Sequence, residues 1–447
     1  MSDLIRQFGS QSLLMLSRKI ADIALGLGIA VLLARALGPE GQGIYSLAIL
    51  LPMLLSTFMN FGLAPATVFF ASKKDADIDS LVATNLLAGF VLGLLGIAVG
   101  LAVVFFAGQT LFVGVATRYL LLAMCMLPIK LTVAFVNGIF HGLKDFAVYN
   151  ILGLSQKLIF LAVLLAGLFW QVEVWYAIAG MLAADSIQLL FACVVLRHKG
   201  YHLFRLRDIQ PQLVKQAISY GFRAHLSNIL AFLNYRLDMF ILGAMTNPAA
   251  VGIYTVSVRV AEQLWIFSSA ISSVLLPHIA GMEDEEARRS MTSLVSRNVL
   301  WLSVVAALAV WGLSFVLVDA LFGQAYHQAA AVLRILLPGI AVGGMARILS
   351  NHLAGIGRPQ INMYFAMGTV SMNVVLNILL ISRLGVAGAA LATTITYGAN
   401  ALGKVLFFWL VLRFPLRGFL LLGKEDAALY RRLLARVGRR GGKENLL

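Results

Sequence analysis

Twelve long, mostly apolar stretches follow one another along this chain, and that succession leaves few folds open. A helix crosses the roughly 30 Å hydrocarbon core of a bilayer in about 20 residues. The stretches lie at 13–36, 43–68, 80–106, 116–140, 147–169, 174–196, 216–245, 250–279, 298–318, 329–352, 360–382 and 387–412, several long enough to tilt or to extend beyond the hydrocarbon. Only 12% of the 447 residues are charged, against about a quarter in a soluble domain. The hydrophobic share is 60% and the mean hydropathy +0.88. An all-α polytopic membrane protein of about 12 transmembrane helices is expected. The first stretch exceeds a signal-peptide core and lacks a persuasive cleavage site, so it is expected to remain as a helix.

The chain echoes itself. Ala34-Arg35-Ala36-Leu37-Gly38-Pro39-Glu40-Gly41-Gln42-Gly43-Ile44-Tyr45 joins the first two segments, and Thr246-Asn247-Pro248-Ala249-Ala250-Val251, then Gly252-Ile253-Tyr254, joins the seventh and eighth. Gly43 and Gly252 are 209 positions apart (252 − 43), and Pro128 and Pro338 are 210 apart (338 − 128). A duplication is expected to repeat at nearly one offset. Six crossings per copy start both copies on the same side, so the reading is two six-helix lobes related by a pseudo-two-fold axis along the membrane normal. The boundaries are an N-lobe at 1–196, a basic cytoplasmic linker at 197–215, a C-lobe at 216–412 and a basic cytoplasmic tail at 413–447.

Charge fixes the orientation. Connections on one side hold Arg6, Lys73, Lys74, Lys144, Arg197, Lys199, Arg205, Arg207, Lys215, Arg288, Arg289, Arg297, Arg358 and nine basic residues from Arg413 to Lys443, 22 in all; the other side holds Arg35, Arg118 and Arg383. The positive-inside rule therefore puts both termini in the cytoplasm. The net charge of +15 then reports topology and contact with anionic membrane lipids, with no nucleic acid implied. Glu283-Asp284-Glu285-Glu286, followed by Arg288-Arg289, reads as a solvated helical loop, and the tail as either a basic segment on the inner leaflet or a disordered one.

Ten basic residues of the 35 remain inside the spans: Arg18, Lys19, Lys130, Lys157, Arg223, Arg236, Arg259, Arg334, Arg347 and Lys404. Each charge held at bilayer depth costs on the order of 2.5–3.5 kcal/mol. Lys157, Lys404, Arg334 and Arg223 stand near span ends and are read as candidates to snorkel. Four acids face the ten: Asp22, Asp185, Asp238 and Glu262. Arg18 with Asp22 and Arg259 with Glu262 have helical pairing distance. The interior still keeps surplus positive charge, which favours an anionic guest such as a diphosphate.

No P-loop occurs, the histidines form no pair at metal-ligand spacing, and no aspartate cluster suits a metal-dependent glycosyl transfer, so no catalytic residue, metal or cofactor is assigned. Cys125 and Cys193 lie in apolar runs and suggest no disulfide framework.

Leu33-Ala-Arg-Ala-Leu-Gly-Pro-Glu-Gly-Gln-Gly-Ile-Tyr-Ser46, Leu242-Gly243 with Val251-Gly-Ile-Tyr254, and Leu321-Phe-Gly-Gln-Ala-Tyr326 ahead of Ala331-Val-Leu-Arg-Ile-Leu336 resemble bacterial polysaccharide-biosynthesis flippases of the multidrug/oligosaccharidyl-lipid/polysaccharide exporter superfamily. The resemblance implies a multi-pass protein of the bacterial inner membrane, monomeric, that moves an undecaprenyl-diphosphate-linked glycan between leaflets by alternating access, alongside a polysaccharide polymerase and chain-length machinery. It implies basic cavity residues for the diphosphate, with Arg18 as the match by position. The candidates are Arg18, Lys19, Lys130, Arg223, Arg236, Arg259 and Arg347 for the diphosphate; Asn60, Asn137, Asn234, Gln263 and Asn373 for sugars; and Asp22, Asp185, Asp238 and Glu262 for ion coupling. The alternatives are a drug/cation antiporter of the same superfamily, which should prefer an acidic cavity, a membrane-bound polymerase or ligase of the same glycan, and a scaffold for other glycan enzymes.

Overall fold

The computed structural model describes the backbone of residues 2–423 and 426 apart from 74, 171, 204 and 205, and the side chains of these from Ala21 onward, except 206, 223, 224, 273 and 274. The regular elements among the described residues are helices: α1 (Ser2–Met59), α2 (Leu63–Ala71), α3 (Ile78–Leu111), α4 (Thr117–Met124), α5 (Met126–Gly142), α6 (Phe146–Gly167), α7 (Val174–His198), α8 (Pro211–Met245), α9 (Pro248–Glu262), α10 (Trp265–Gly281), α11 (Glu285–Phe322), α12 (His327–Gly355), α13 (Pro359–Leu384), α14 (Val386–Leu410) and the short α15 (Leu416–Leu420). Among the described residues eight helical stretches are long and apolar enough to cross a membrane, or nine if α9 and α10 form one span. This is an all-α multi-pass membrane protein. α8 and α14 have the length but carry Lys215, Arg236 and Asp238, and Thr393, Thr394, Thr396 and Lys404, which lower their hydropathy.

Two of the breaks fall at a glycine or a proline. The part of α1 whose side chains are described, Ala21–Met59, has 39 residues, about 58 Å at 1.5 Å per residue and nearly twice a hydrocarbon core. Gly38 interrupts it at φ 64° and ψ 177°, a conformation hostile to residues with a Cβ. Pro39 then opens the second arm, where a missing N–H costs nothing. α4 stops at Met124, the residue four before Pro128, whose ring displaces that carbonyl. Its repeat partner Pro338 sits inside α12 without a break. α3 begins on Asp77, whose carboxylate accepts from Ser80 N at 3.1 Å and Ser80 Oγ at 2.7 Å. These bonds hold the Asp77 carboxyl below its ordinary value.

The helices form two compact units: Met1–Arg259 with Val318–Ala329 and Asn377–Ala389, and Val260–Leu317 with Ala330–Leu376 and Ala390–Leu447. In the first, Val82, Leu86, Val136, Phe140, Leu152 and Leu196 from α3, α5, α6 and α7 make one buried cluster. The Pro39 and Pro248 turns also meet there. A Cβ on Gly43 would overlap the carbonyl oxygen of Pro248 and stand 3.0 Å from Gly252 N; a Cβ on Gly252 would overlap the carbonyl oxygen of Pro39 and stand 3.1 Å from Gly43 N. In the second unit α11, α12 and α14 enclose Leu300, Leu349, Leu353, Phe408, Phe414 and Phe419. Phe105, Phe106, Phe169 and Trp170 are about 80% exposed or more (81%, 82%, 86% and 79%), an apolar surface suited to lipid and its interface.

Candidate functional site

Several charged side chains of the first unit come together at spacings that single-helix periodicity does not contain. Asp22 on α1 pairs with Lys157 on α6, Oδ1 to Nζ 2.6 Å, and Lys157 also donates to the Asp22 carbonyl at 3.0 Å. Lys157 therefore does not snorkel: it is half-buried, because its four-carbon stem reaches a carboxylate on the neighbouring helix. One turn along α1, Arg259 Nη1 donates to the Gly26 carbonyl at 3.4 Å, and a Cβ on Gly26 would lie 3.6 Å from Lys157 Nζ. The first hairpin and the counterpart of its second arm thus meet at Asp22, Gly26, Lys157 and Arg259. Arg18, Lys19 and Arg223 lie outside the described side chains.

The adjacent residue on α6 belongs to a second pair. Gln156 Nε2 donates to Asp185 Oδ1 at 3.2 Å, and Lys130 Nζ lies 2.8 Å from Asp185 Oδ2. The Lys130–Asp185 contact is a pairing of charges without an aligned hydrogen bond. Asp185 is 3% exposed. A lone carboxylate at that depth would carry an uncompensated desolvation cost, and the ammonium group compensates it. The Gln188 amide on the same helix donates to the Leu152 carbonyl at 2.7 Å. Lys130 also lines a cavity of about 200 Å³ with Ser56, Thr57, Asn60, His225 and Asn228, polar groups from α1, α5, α8 and the turn after α1.

Other candidates are tied down. Asp238 is buried, accepting from the buried Tyr254 hydroxyl and from Met239 N at 2.8 Å. Arg236 Nη1 donates to the Tyr235 carbonyl at 3.2 Å. In the second unit Arg347 stacks 4.8 Å over the Trp265 ring, itself fixed by a 3.0 Å bond from Nε1 to the Ile340 carbonyl. Lys404, expected to snorkel, is buried and donates to Ser350 Oγ at 2.6 Å. Arg334 stacks 4.4 Å from both Trp311 and Phe315 and donates to Ser314 Oγ at 2.7 Å, so packing joins snorkelling there. Of the proposed sugar contacts, Asn60 lines the cavity beside Lys130. Asn373 is buried in the second unit, the Oδ1 atoms of Asn137 and Asn234 are buried without a hydrogen bond among the described residues, and Gln263 sits in the break between α9 and α10, its N–H on the Val260 carbonyl at 3.2 Å. Glu262 closes α9.

Sequence reading missed Gln156, His225 and Asn228, and named Lys157 only as a candidate to snorkel. The usable signal was opposite charge at matching depth on different spans, as in Lys130 and Asp185. Cys125 is exposed and Cys193 half-buried, and both are free thiols. Among the described residues no group of three or more His, Cys, Asp or Glu is placed to hold a metal ion.

A family model described as "Polysaccharide biosynthesis protein" matches residues 10–283. An uncharacterized membrane protein of Methanocaldococcus jannaschii is 23% identical over 376 residues, 80% of this chain and 88% of that one. The succinoglycan biosynthesis transport protein ExoT of Rhizobium meliloti is 24% identical over 342 residues, 75% and 67%. Among solved structures, a lipid II flippase, MurJ, in an inward closed conformation superposes with a TM-score of 0.74 at 16% identity, covering 91% of this chain and 89% of that one. An inward-facing multidrug resistance MATE family transporter of the MOP superfamily gives 0.66 at 17% identity, covering 88% and 94%. These two likenesses concern the fold.

Proposed function

Since this chain belongs to the polysaccharide biosynthesis protein family, a family of membrane transporters in the MOP superfamily and not of enzymes, we propose that it flips a polyprenyl-diphosphate-linked oligosaccharide from the cytoplasmic to the outer leaflet. The family match over residues 10–283 carries this reading. In it, twelve spans form six-helix lobes at 1–196 and 216–412 joined by the 197–215 linker, and the lobes alternate access about the pseudo-two-fold axis. The exchanged contacts of Gly43 with Pro248 and Gly252 with Pro39 support that symmetry. Relatives occur in archaea and in bacteria.

Arg259 beside the Asp22–Lys157 pair is the diphosphate contact we favour, with Lys130 and the Asn60, Thr57 and Asn228 wall taking part of the glycan. A guanidinium group offers diphosphate a fork of donors, whereas a cationic drug would meet like charge. Arg18, Lys19, Arg223, Arg236 and Arg347 complete the proposed cationic set, Asn137, Asn234, Gln263 and Asn373 the sugar set, and Asp22, Asp185, Asp238 or Glu262 the ion-coupling set.

The test is a deletion strain complemented with wild type, Arg259→Glu or Arg259→Lys, with expression matched. Wild type restores glycan at the outer face, Arg259→Glu leaves lipid-linked intermediates on the inner face, and Arg259→Lys recovers part of the export. Unpolymerised glycan reaching the outer face in the deletion strain would replace this reading with a polymerase. Full export by Arg259→Glu would remove the assigned electrostatic role.

A further inference from the structure

A second basic pocket lies in the second unit, among residues the flippase reading does not use. The first turns of α11 supply Glu285, Arg288 and Arg289. The turn after α12, closed by Arg358 N on the Leu353 carbonyl at 2.8 Å, supplies Arg358, and the segment after α14 supplies Phe414. Together with His352 they line a cavity of about 220 Å³. His352 Nδ1 is held by Thr292 Oγ1 at 2.7 Å, and Thr292 Oγ1 donates to the Arg288 carbonyl at 2.8 Å, so this wall is rigidly tied to α11.

Three guanidinium groups face one carboxylate. Glu285 accepts from Arg289 Nη2, and the Arg289 guanidinium stands 5.6 Å from the Phe414 ring centre. Among the described residues no acid stands within ion-pair distance of Arg288 or Arg358. The Nε atoms of Arg288 and Arg289 are buried with no hydrogen-bond acceptor among the described residues. Three guanidinium groups with one carboxylate leave the cavity wall with surplus positive charge, and the outer guanidinium nitrogens can give a phosphate charge-assisted hydrogen bonds. The positive end of the 38-residue α11 dipole adds to that field. The volume suits a phosphate group and part of what carries it, being smaller than the usual 300–1,000 Å³ of a drug-sized site. The charge count puts these residues on the cytoplasmic side, where basic pockets at helix ends meet anionic headgroups.

We propose that Arg288, Arg289 and Arg358 form a binding site for a phosphate group, presented by an anionic phospholipid headgroup or as free phosphate. Glu285 is its internal competitor, occupying Arg289 until the ligand arrives.

The experiment uses the full chain, in nanodiscs of phosphatidylcholine with or without phosphatidylglycerol, and in detergent with or without inorganic phosphate. Thermal unfolding and native mass spectrometry read binding. Wild type is stabilised by phosphatidylglycerol or by inorganic phosphate. Arg288→Gln and Arg358→Gln each weaken that binding on the order of tenfold, the worth of one charge-assisted hydrogen bond. Glu285→Gln strengthens it, an effect of opposite sign that misfolding would not produce. Stabilisation by phosphatidylglycerol alone identifies the lipid as source, and an equal response to inorganic phosphate shows that the free ion suffices. No response to either probe, or responses unchanged in all three variants, overturns the site.

Discussion

The Lys130–Asp185 pair offers a test whose size follows from its geometry. At 2.8 Å and an effective dielectric near 20, Coulomb attraction is about 6 kcal/mol. Withdrawing two ions from water costs several kcal/mol each, so the intact pair adds little net stability. Removing one partner is another matter. Lys130→Met leaves the 3%-exposed Asp185 with the neutral Gln156 amide at 3.2 Å and no ammonium group. Breaking a buried pair costs about 3–5 kcal/mol, and a lone charge at mid-bilayer about 2.5–3.5 kcal/mol. The two estimates converge on a loss of about 3–4 kcal/mol. Replacing both residues by apolar ones of similar size, Lys130→Met with Asp185→Leu, should return stability to within about 1 kcal/mol of wild type. Unfolding by SDS titration in mixed micelles, on the two single variants and the double, measures the coupling. A Lys130→Met protein as stable as wild type, or a double variant no better than the single one, refutes the reasoning. Export by a stable double variant then separates a packing role from a transport role.

Gly43→Ala and Gly252→Ala should both destabilise, although alanine normally gains about 1 kcal/mol over glycine in a helix, because each Cβ overlaps a proline carbonyl; Gly28→Ala, with open space around it, should be neutral or stabilising in the same thermal assay. Asp77→Ala should cost about 1 kcal/mol through the lost cap of α3, and Asp77→Asn much less, read by the same unfolding titration. Asp426 gives a pH prediction. Burial opposes its ionisation, but bonds from Arg297 Nε at 2.8 and 2.9 Å, Gly423 N at 2.7 Å and Asn298 Nδ2 at 2.6 Å outweigh burial and lower its pKa. A depressed carboxyl contributes stability above its unfolded value, near 3.9, and loses it as pH falls through the folded value. Hydrogen exchange of 413–423 should therefore be slow at neutral pH and accelerate, after correction for intrinsic rates, below about pH 4; Arg297→Gln should accelerate it at neutral pH, and a pH-independent profile would argue against the clamp.

Span limits and the Gly-Pro turn were legible because they are local. About 20 apolar residues and a Gly-Pro pair act within one helix, and the observed α3, α6, α7, α13 and α14 agree with the expected limits to within about five residues, whereas the breaks at 60–62 and 263–264 fall inside the expected spans 43–68 and 250–279. Pairing across helices was not legible. Helical spacing could suggest only a same-helix partner for Asp22, and the structure adds Lys157, 135 positions away, to that carboxylate. Lys404 looked like a span-end lysine until the fold put Ser350 within 2.6 Å of its ammonium group. Which residue meets a buried charge depends on how helices rotate against one another, and the apolar faces that set those rotations are nearly featureless in a lipid-facing chain.

The repeat lies between these cases. Its offset of 209 was visible as two Gly-Ile-Tyr motifs, but similarity alone does not say whether two copies touch. The contacts between the two motifs are reciprocal, as the proposed two-fold reading requires: residue 43 faces 248 while 252 faces 39, and 248 − 39 and 252 − 43 are both 209. Exchange of equivalent partners is what a two-fold relation produces at its axis, as in an isologous dimer interface. Only glycine at both positions lets backbones come that near in lipid, where close approach and van der Waals packing replace the hydrophobic effect. The same constraint explains why the motif reads Gly-Ile-Tyr twice. Tyr45 and Tyr254, two residues on, are both buried. A bulky residue at one glycine would therefore disturb both halves of the contact, and Gly43→Val and Gly252→Val should lose stability together and by similar amounts. Unequal losses would mean that the echo in sequence is not an equivalence in packing.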